Sequence, residues 1–286
     1  MMSRNQRAKL AQETLDILKT GFYQTAAGNS VPLADQQAQS VAGTVVYRPD
    51  GWKRVLRKVD QTFLEVPPLV ETKIEVTQET TMEAAQRVIQ REQAAHVAAL
   101  NFASAKNPGG GFLNGSQAQE ECLARSSGLY PTLTTTMEMY QHNQLFGSLL
   151  YSEYLMYSPN VPFFRDDEGR LLENPYLLSI ITAPAPNAGA IQQNQPKSVA
   201  KIQEVMFGRM ENILAVAFLQ GQTTLILGAW GCGVFRNDPK IVATLFAKHL
   251  LTGGKFQNRF ERVVFAVYAT PKEQHTFLTF QSVFGQ

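Results

Sequence analysis

The chain has 286 residues, of which 44% are hydrophobic and 17% are charged. This apolar fraction is enough for a buried core, and it excludes a chain that is disordered over its whole length. The 26 basic and 24 acidic residues leave a net charge of +2, which excludes a strongly basic protein that binds long nucleic-acid tracts. The chain has only two cysteines, Cys122 and Cys232, which is too few for a disulfide scaffold or a four-thiolate zinc site.

Targeting and membrane segments are not expected. The first ten residues carry Arg4, Arg7 and Lys9 without a following apolar stretch, unlike a signal peptide. The uncharged stretch 212–235 is long enough to cross a membrane, but a polar segment at 220–224 interrupts it. It therefore predicts the end of a buried helix, a turn and a buried strand. We expect a cytoplasmic protein with reduced thiols, although one disulfide between the two cysteines is arithmetically allowed.

Helices and strands alternate along the first half of the chain. The apolar spacing of residues 4–20 predicts an amphipathic helix, and prolines interrupt the mixed region 28–68. Alternating apolar and polar residues over 70–76 predict a strand, and a helix capped by a threonine follows over about 80–93. The apolar run 96–104 predicts another strand, which ends in a polar loop rich in glycine.

Helices and strands also alternate along the second half of the chain. The predicted elements are a strand within 171–186, a helix after Pro196, a strand over 223–230, a helix over about 239–251, a strand over 262–270 and a final helix over 275–284. The helix after Pro196 has an apolar stripe formed by Val199, Ile202, Met206, Met210, Ile213, Leu214 and Ala217. The alternation indicates an α/β fold with a largely parallel or mixed sheet and helices on both faces.

The first loop, residues 105–118, follows a predicted strand at the position where open α/β sheets bind ligands. It contains Gly109, Gly110 and Gly111, which would let the backbone approach a bulky ligand. A helix is predicted to begin near residues 116–119, with Glu120 and Glu121 in its first turn. Acidic residues are favoured there by the helix dipole, so a simple first-turn pair beside a flexible loop is the alternative interpretation.

The second loop, residues 228–239, also connects a strand to a helix, and two of its glycines, Gly231 and Gly233, flank Cys232. Its Gly-Cys-Gly-Val-Phe run is a natural cradle for a diphosphate at a helix N-terminus. It lacks the Gly-Lys-Ser/Thr ending of a Walker loop and the spaced glycines of a dinucleotide-binding fingerprint. A tight turn without a ligand is the alternative.

Together the two loops resemble those of bacterial-type poly(ADP-ribose) glycohydrolases. The first loop has the three glycines, a seven-residue spacer and Gln119-Glu120-Glu121, and the resemblance extends over most of residues 4–286. It implies a macrodomain-like three-layer α/β sandwich with a mixed sheet and an N-terminal helical extension. We expect residues 1–68 to form a mainly helical extension packed on the core, and residues 69–286 to form the catalytic core.

The resemblance also implies roles for single residues. Glu121 would be the catalytic acid and base, and Glu120 would hold a ribose hydroxyl. Gln119 and the three glycines would shape the first loop against the distal ribose and diphosphate. The second loop would contribute the diphosphate-binding residues Gly231, Cys232, Gly233 and Val234. Phe235 would pack on the distal ribose.

One position of the family pattern is ambiguous. Macrodomain relatives often place an asparagine shortly before the glycines, and Asn101, Ser104 and Asn107 all compete for that role. We select Asn107 as the substrate-binding candidate because it is closest to the glycines.

The implied chemistry differs from that of ordinary glycosidases, whose two carboxylates flank the sugar about 5–9.5 Å apart. Glu120 and Glu121 are adjacent, so a single carboxyl would donate a proton to the leaving oxygen and then accept one from water. Neighbouring carboxylates would raise the pKa of the pair, which suits a proton donor near neutral pH. The histidines have no metal-ligand spacing, so no metal or cofactor is expected.

The implied function is hydrolysis of terminal ribose–ribose O-glycosidic bonds in poly(ADP-ribose), with exo action and release of ADP-ribose. Alternatives are a hydrolase of mono-ADP-ribose on nucleobase or protein linkages, and an ADP-ribose-binding macrodomain without catalysis. The expected partners are poly(ADP-ribose) or ADP-ribosylated macromolecules, with no membrane and no direct DNA binding. A part in the DNA damage response is implied as well.

Overall fold

The chain folds around a seven-stranded mixed sheet, and the computed structural model describes residues 2–285. The helices are α1 (Arg4–Thr20), α2 (Ala34–Ala42), α3 (Trp52–Glu65), α4 (Thr81–Gln86), α5 (Gln119–Ser126), α6 (Leu129–Leu133), α7 (Glu138–Leu145), α8 (Ala188–Asn194), α9 (Ile202–Leu219), α10 (Pro239–Leu250) and α11 (His275–Phe284). The strands are β1 (Phe22–Gln24), β2 (Ser30–Pro32), β3 (Val45–Tyr47), β4 (Lys73–Thr77), β5 (Val97–Phe102), β6 (Leu155–Arg165), β7 (Leu171–Ala183), β8 (Thr224–Leu227) and β9 (Arg262–Ala266). A π-helical turn, Arg87–Arg91, follows α4 directly.

The order of the strands places the carboxyl ends of five neighbours at one edge of the sheet. The order is β3-β6-β7-β5-β8-β9-β4, in which β7, β5, β8, β9 and β4 run parallel. Strand β6 is antiparallel to both β7 and β3, so the sheet is mixed, as predicted. Ala98 on β5 pairs with Ser179 on β7 and with Leu225 on β8. The segments that follow these three strands therefore emerge side by side.

Helices cover both faces of the sheet. Along β5, Ala98 and Leu100 belong to one core cluster, while Val97 and Ala99 belong to the other. Side chains alternate between faces along a strand, so the two clusters lie on opposite sides of the sheet. The first cluster includes residues of α3, α9, α10 and α11, and the second includes residues of α4, α5, α6 and α7. The predicted three-layer α/β sandwich is confirmed.

The N-terminal region contributes to the sheet as well as to the helical layers. Strand β3 pairs with Leu155–Tyr157 of β6 and forms an edge of the main sheet. Helix α3 packs on the core through Phe63, whose ring centroid lies 4.8 Å from that of Phe218 and 5.7 Å from that of Phe256. The proposed division at residue 68 stays a prediction, but the segment before it is continuous with the sheet.

The uncharged stretch 212–235 forms the end of α9, a turn, β8 and part of the second loop. Within residues 2–285, the helices are all too short or too polar to span a lipid bilayer. One position of the predicted stripe on α9 is wrong. Val199 is 40% exposed, because it lies in a 3-10 helix, Pro196–Lys201, that precedes α9.

Phe265 on β9 offers a test of the core. Its ring is fully buried and lies 4.2 Å from that of Phe284 on α11 and 5.6 Å from that of Phe246 on α10. Phe265→Ala should lower the free energy of unfolding by about 3–5 kcal/mol, since burial is lost and a cavity remains. Urea denaturation would measure this loss. Leu64→Ala, at a position that is 90% exposed, should stay within about 0.5 kcal/mol of wild type. Equal losses in the two variants would contradict the described packing.

Candidate active site

The candidate site lies where β5, β7 and β8 end. The first loop follows β5, the segment 184–187 follows β7, and the second loop follows β8. The start of the second loop packs against the end of β5. A Cβ atom on Gly228 would lie 3.0 Å from the ring of Phe102, the last residue of β5. This is the edge at which parallel α/β sheets bind ligands.

Gln119 fixes the start of α5 to the end of β5. Its Oε1 accepts a hydrogen bond from the Phe102 N–H at 2.9 Å. Its Nε2 donates to the Leu100 carbonyl at 2.8 Å and to the Thr81 hydroxyl at 3.2 Å. Both amide protons are therefore engaged within the protein. Gln119 acts on the site by fixing the position of the two glutamates that follow it.

Glu120 is a buried carboxyl, only 2% exposed. Its Oε2 accepts a hydrogen bond from the Ser104 N–H at 2.6 Å, and its Oε1 accepts one from Asn101 Nδ2 at 3.2 Å. Burial raises the pKa of Glu120 to about 8, and the nearby charge of Glu121 adds to that rise, while the two hydrogen bonds oppose it. At neutral pH this group therefore keeps its proton.

Glu121 differs from its neighbour because it is only half-buried. Its Oε1 accepts a hydrogen bond from the Gly111 N–H at 3.0 Å. Gly110 packs against both carboxyls: a Cβ atom there would lie 2.5 Å from Glu121 Oε1 and 3.3 Å from Glu120 Oε2. Gly110 also has a φ of +59°, which favours glycine. The first loop and the two carboxyls can approach each other only because this residue has no side chain.

The other two glycines of the triplet are also held by close contacts. A Cβ atom on Gly109 would lie 2.9 Å from the Phe112 ring, and one on Gly111 would lie 2.5 Å from the Ser116 hydroxyl. The Gly110 N–H donates to the Asn107 carbonyl at 3.0 Å. The Gly110 N–H is thus satisfied inside the loop, and the Gly111 N–H is satisfied by Glu121. We infer that the triplet shapes the site through its missing side chains.

The structure separates the three candidates for the asparagine position. Asn101 is fully buried and donates to Glu120, and Ser104 provides the backbone N–H that also binds this carboxyl. Asn107 is exposed, and its backbone N–H donates to the Ser104 hydroxyl at 3.2 Å. Asn101, which the sequence left as the third option, is therefore the candidate whose side chain contacts a glutamate. A substrate contact by Asn107 stays a prediction.

The second loop turns sharply at Gly231, whose φ is +75°. A Cβ atom there would lie 2.6 Å from both Ala185 Cβ and Asn237 Nδ2. Asn237 is buried, and its Nδ2 donates to the Pro186 carbonyl at 2.8 Å and to the Gly231 carbonyl at 3.0 Å. Asn237 thereby closes the loop, a role that the sequence analysis missed. The available signal was its place before Asp238, which caps α10.

The tip of the second loop presents unpaired backbone donors. Within residues 2–285, the N–H groups of Gly233, Val234 and Phe235 have no hydrogen-bond acceptor. Gly233 is exposed, and the Val234 side chain is 79% exposed. Phe235 is half-buried, with its ring centroid 6.0 Å from that of Tyr151. Consecutive free N–H groups of this kind form a concavity that suits an anion.

The two cysteines are free thiols. Burial and the charge of Asp238 raise the pKa of Cys232 to about 12. Burial also raises the pKa of Cys122, although Arg125 opposes that rise. Both groups stay protonated at neutral pH, which is unfavourable for a nucleophile. Cys232 fits the interpretation of a small residue between two glycines.

Comparisons with known proteins decide the family. The family model for the catalytic domain of microbial-type PARG, poly(ADP-ribose) glycohydrolase, matches residues 11–166. The chain belongs to this family. A solved PARG from Thermomonospora curvata, bound to the inhibitor ADP-HPD, is 47% identical. The match covers 98% of this chain and 100% of that chain, with a TM-score of 0.89.

A solved PARG from Deinococcus radiodurans, in complex with ADP-ribose, is 45% identical. That match covers 88% of this chain and 98% of the other, with a TM-score of 0.80. A comparison with curated proteins gives no match. The predicted family and the predicted macrodomain-like fold class are therefore confirmed.

The buried Glu120 should make stability depend on pH. The pKa of Glu120 is about 8 in the folded protein and near 4.5 in the unfolded chain, so the folded state binds this proton more tightly. The stability contributed by the neutral carboxyl is fully present below about pH 4.5 and is lost as the pH rises through 8. From pH 5 to pH 9, wild type should lose about 3–5 kcal/mol relative to Glu120→Gln, which cannot ionise.

Urea denaturation at pH 5, 7 and 9 would measure this difference. Glu71→Gln, at an exposed position, should keep the pH dependence of wild type. If wild type and Glu120→Gln show parallel profiles, the Glu120 carboxyl does not have the raised pKa.

Proposed function

We propose that this protein is an exo-acting poly(ADP-ribose) glycohydrolase that hydrolyses the terminal ribose–ribose O-glycosidic bond and releases ADP-ribose. One observation carries the proposal. A half-exposed carboxyl, Glu121, stands at the end of one strand, and a row of free N–H groups stands on the loop after the neighbouring strand. An acid for the glycosidic oxygen and a cradle for the diphosphate are thus placed on one edge of the sheet. The shared family and the ADP-ribose-bound relative support the same substrate.

The geometry favours a mechanism with one working carboxyl. Glu120 and Glu121 both pack against Gly110, so they approach the site from the same side. They cannot flank a sugar ring as the two carboxylates of ordinary glycosidases do. Glu120, buried and bound by Asn101 and the Ser104 N–H, instead orients a ribose hydroxyl and keeps a proton in the pair at neutral pH.

In the proposed reaction, the proton that the carboxyl pair keeps passes to Glu121, which donates it to the leaving 2′-oxygen as the bond to the anomeric carbon of the distal ribose breaks. The electron pair of that bond stays on the oxygen, which leaves as a hydroxyl. The resulting oxocarbenium ion is stabilised by the diphosphate of the substrate. Water then adds to the anomeric carbon and gives its proton to Glu121, which restores the acid.

The second loop supplies the binding energy in this proposal. Gly233, Val234 and Phe235 offer three N–H groups to the diphosphate, and Gly231 and Cys232 form the turn that presents them. Backbone donors add no net charge to the protein, which agrees with the overall charge of +2. Recognition would then concentrate on one terminal unit of the polymer, with little release of counterions from long tracts.

Two alternatives share the same scaffold. A hydrolase of mono-ADP-ribosylated nucleobases or proteins would use the same loops, because the ADP-ribose part of its substrate is identical. A binding module without catalysis is disfavoured, because the binding of an anion gains nothing from two neighbouring carboxyls, Glu120 and Glu121, at the site. A cytoplasmic location and a part in the DNA damage response remain predictions.

Replacing the proposed acid should separate binding from catalysis. On automodified poly(ADP-ribose), Glu121→Gln should release ADP-ribose about 10²–10⁴-fold more slowly than wild type, since the leaving oxygen loses its proton donor. Calorimetry should still detect ADP-ribose binding, because the second loop is untouched. Glu71→Gln removes an exposed carboxyl and should retain full activity.

The products distinguish the proposals. If wild type releases no ADP-ribose from polymer, the proposed function is wrong, and activity on mono-ADP-ribosylated targets alone would favour the alternative hydrolase. Early appearance of oligomers would contradict exo action. Full activity of Glu121→Gln would contradict its role as the acid while leaving the function intact.

Gly231→Ala tests the second loop. The new Cβ would meet Ala185 and Asn237 at 2.6 Å, and φ would remain unfavourable, so the loop must shift. Affinity for ADP-ribose, measured by calorimetry, should fall by at least about tenfold, which corresponds to about 1.4 kcal/mol. Gly28→Ala is the matched control: its φ is +84°, but a Cβ there meets nothing within 4 Å. Equal affinity in the two variants would rule out the proposed cradle.

A further inference from the structure

Helix α1 lies directly against the segment 112–118, which joins the glycine triplet to the two glutamates. Arg4 Nε donates to the Asn114 carbonyl at 2.9 Å, and Arg7 Nε donates to the Gly115 carbonyl at 2.8 Å. The side chains of two arginines on one helix thus bind consecutive carbonyls of the first loop. The partners are separated by 110 and 108 residues in sequence.

Gly115 permits this close approach. Its φ is +71°, and a Cβ atom there would overlap the carbonyl oxygen of Arg4 and contact the Ala8 nitrogen. The backbones of the helix and the loop are therefore in contact without an intervening side chain. Any other residue at this position would force the helix away from the loop.

Apolar packing continues the same contact toward the carboxyls. Ala11 on α1 forms a small buried cluster with Phe112 and Ala124, and Tyr130 packs against it. The Phe112 ring also limits the space above Gly109, where a Cβ atom would lie 2.9 Å away. A shift of α1 would thus move the Phe112 ring, which contacts Gly109 of the glycine triplet.

Helix α1 also holds the helix that bears the two glutamates. The Thr14 hydroxyl donates to the Arg125 carbonyl at 2.5 Å, near the end of α5. The Arg125 side chain donates in turn to the Ser116 carbonyl at 2.8 Å. One helix therefore contacts both the loop before the glutamates and the helix that bears them.

These contacts matter because the first loop has no regular secondary structure beyond one short turn at Phe112–Asn114. A catalytic group must be held within about 0.5 Å of its productive position, and loops reach such precision only when other elements support them. The glycines that bring the loop close to Glu121 also make it easy to deform. The loop has a few backbone hydrogen bonds of its own, such as that from the Ser116 N–H to the Gly111 carbonyl at 3.1 Å, and the contacts with α1 add to them from outside the loop.

We propose that α1 is a positioning element of the active site, with Arg4 and Arg7 as positioning residues that hold the first loop so that Glu121 faces the glycosidic oxygen. This inference rests on the proposed function. It assigns the N-terminal extension a part in catalysis beyond stabilising the fold. The effect should appear in kcat, because the second loop, which binds the diphosphate, has its own support in Asn237.

The first test is the double variant Arg4→Gln/Arg7→Gln. Its kcat on polymer should fall at least about tenfold while KM changes less than about threefold, as expected when only the transition state is affected. Arg4→Lys/Arg7→Lys should recover part of kcat, since an ammonium can still donate to a carbonyl. Lys9→Gln/Lys19→Gln removes the same charge from exposed positions of α1 and should match wild type.

Hydrogen exchange provides a readout that does not depend on activity. In Arg4→Gln/Arg7→Gln, backbone amides of residues 110–118 should exchange faster than in wild type. Amides of β5 and β8 should exchange at unchanged rates, because the sheet does not depend on these arginines. In the Lys9→Gln/Lys19→Gln control, exchange of both regions should equal that of wild type.

A second pair of variants tests the backbone contact itself. Gly115→Ala and Gly221→Ala place the same methyl group at φ values of +71° and +68°, but only the first meets other atoms within 4 Å. Both should carry a similar backbone strain. Gly115→Ala should lower kcat at least about tenfold relative to Gly221→Ala, because it alone displaces α1.

The outcomes of these experiments distinguish a failure of the role of α1 from a failure of the proposed function. If wild type is active and Arg4→Gln/Arg7→Gln equals it in both kcat and loop exchange, α1 does not position the loop. If exchange rises equally in the loop and in the sheet, the helix serves only the stability of the fold, and the inference is overturned. If wild type shows no activity, the proposed function fails, while exchange still reports whether α1 holds the loop.

Discussion

The burial of one carboxyl, Glu120, is the constraint on which the rest of the site depends. A carboxyl taken out of water must be neutral or richly hydrogen-bonded, and here it accepts bonds from Asn101 and from the Ser104 N–H. These donors belong to the end of β5 and the turn after it, so the chain must bend back over the start of α5. Gly110 then closes the space above both carboxyls. The position of Glu121 at the surface of the site follows from where its neighbour is buried.

The two glycine loops use their glycines in opposite ways. In the first loop, the N–H groups of Gly110 and Gly111 are satisfied internally, and the missing side chains allow close approach to the glutamates. In the second loop, Gly231 makes the turn that leaves the N–H groups of residues 233–235 without internal acceptors. A similar composition thus produces an inward-facing loop that packs against two carboxyls and an outward-facing loop whose free N–H groups can bind an anion.

The local sequence pattern predicted much of the fold. The features that it missed depend on contacts between residues far apart in sequence. Apolar periodicity and strand–loop–helix order predicted the layers, the mixed sheet and the two loops, because these depend on neighbours in sequence. The pairing of β3 with β6 joins residues more than a hundred positions apart, so no local signal indicates that the N-terminal region enters the sheet. For the same reason Asn101 was ranked last, although the fold brings it to Glu120, and Asn237 was overlooked, although it closes the second loop onto Pro186.

How each loop is supported depends on which of its backbone N–H and carbonyl groups it exposes. The second loop is closed locally by Asn237, which binds a carbonyl of the same loop, so its tip can stay open without losing its shape. The first loop has a few backbone hydrogen bonds of its own, such as that from the Ser116 N–H to the Gly111 carbonyl at 3.1 Å, but these do not use every carbonyl of the seven residues between Gly111 and Gln119. Its carbonyls at Asn114 and Gly115 instead face α1, where Arg4 and Arg7 bind them. A helix far away in sequence is therefore the element that gives a flexible, glycine-rich segment the rigidity that proton transfer requires.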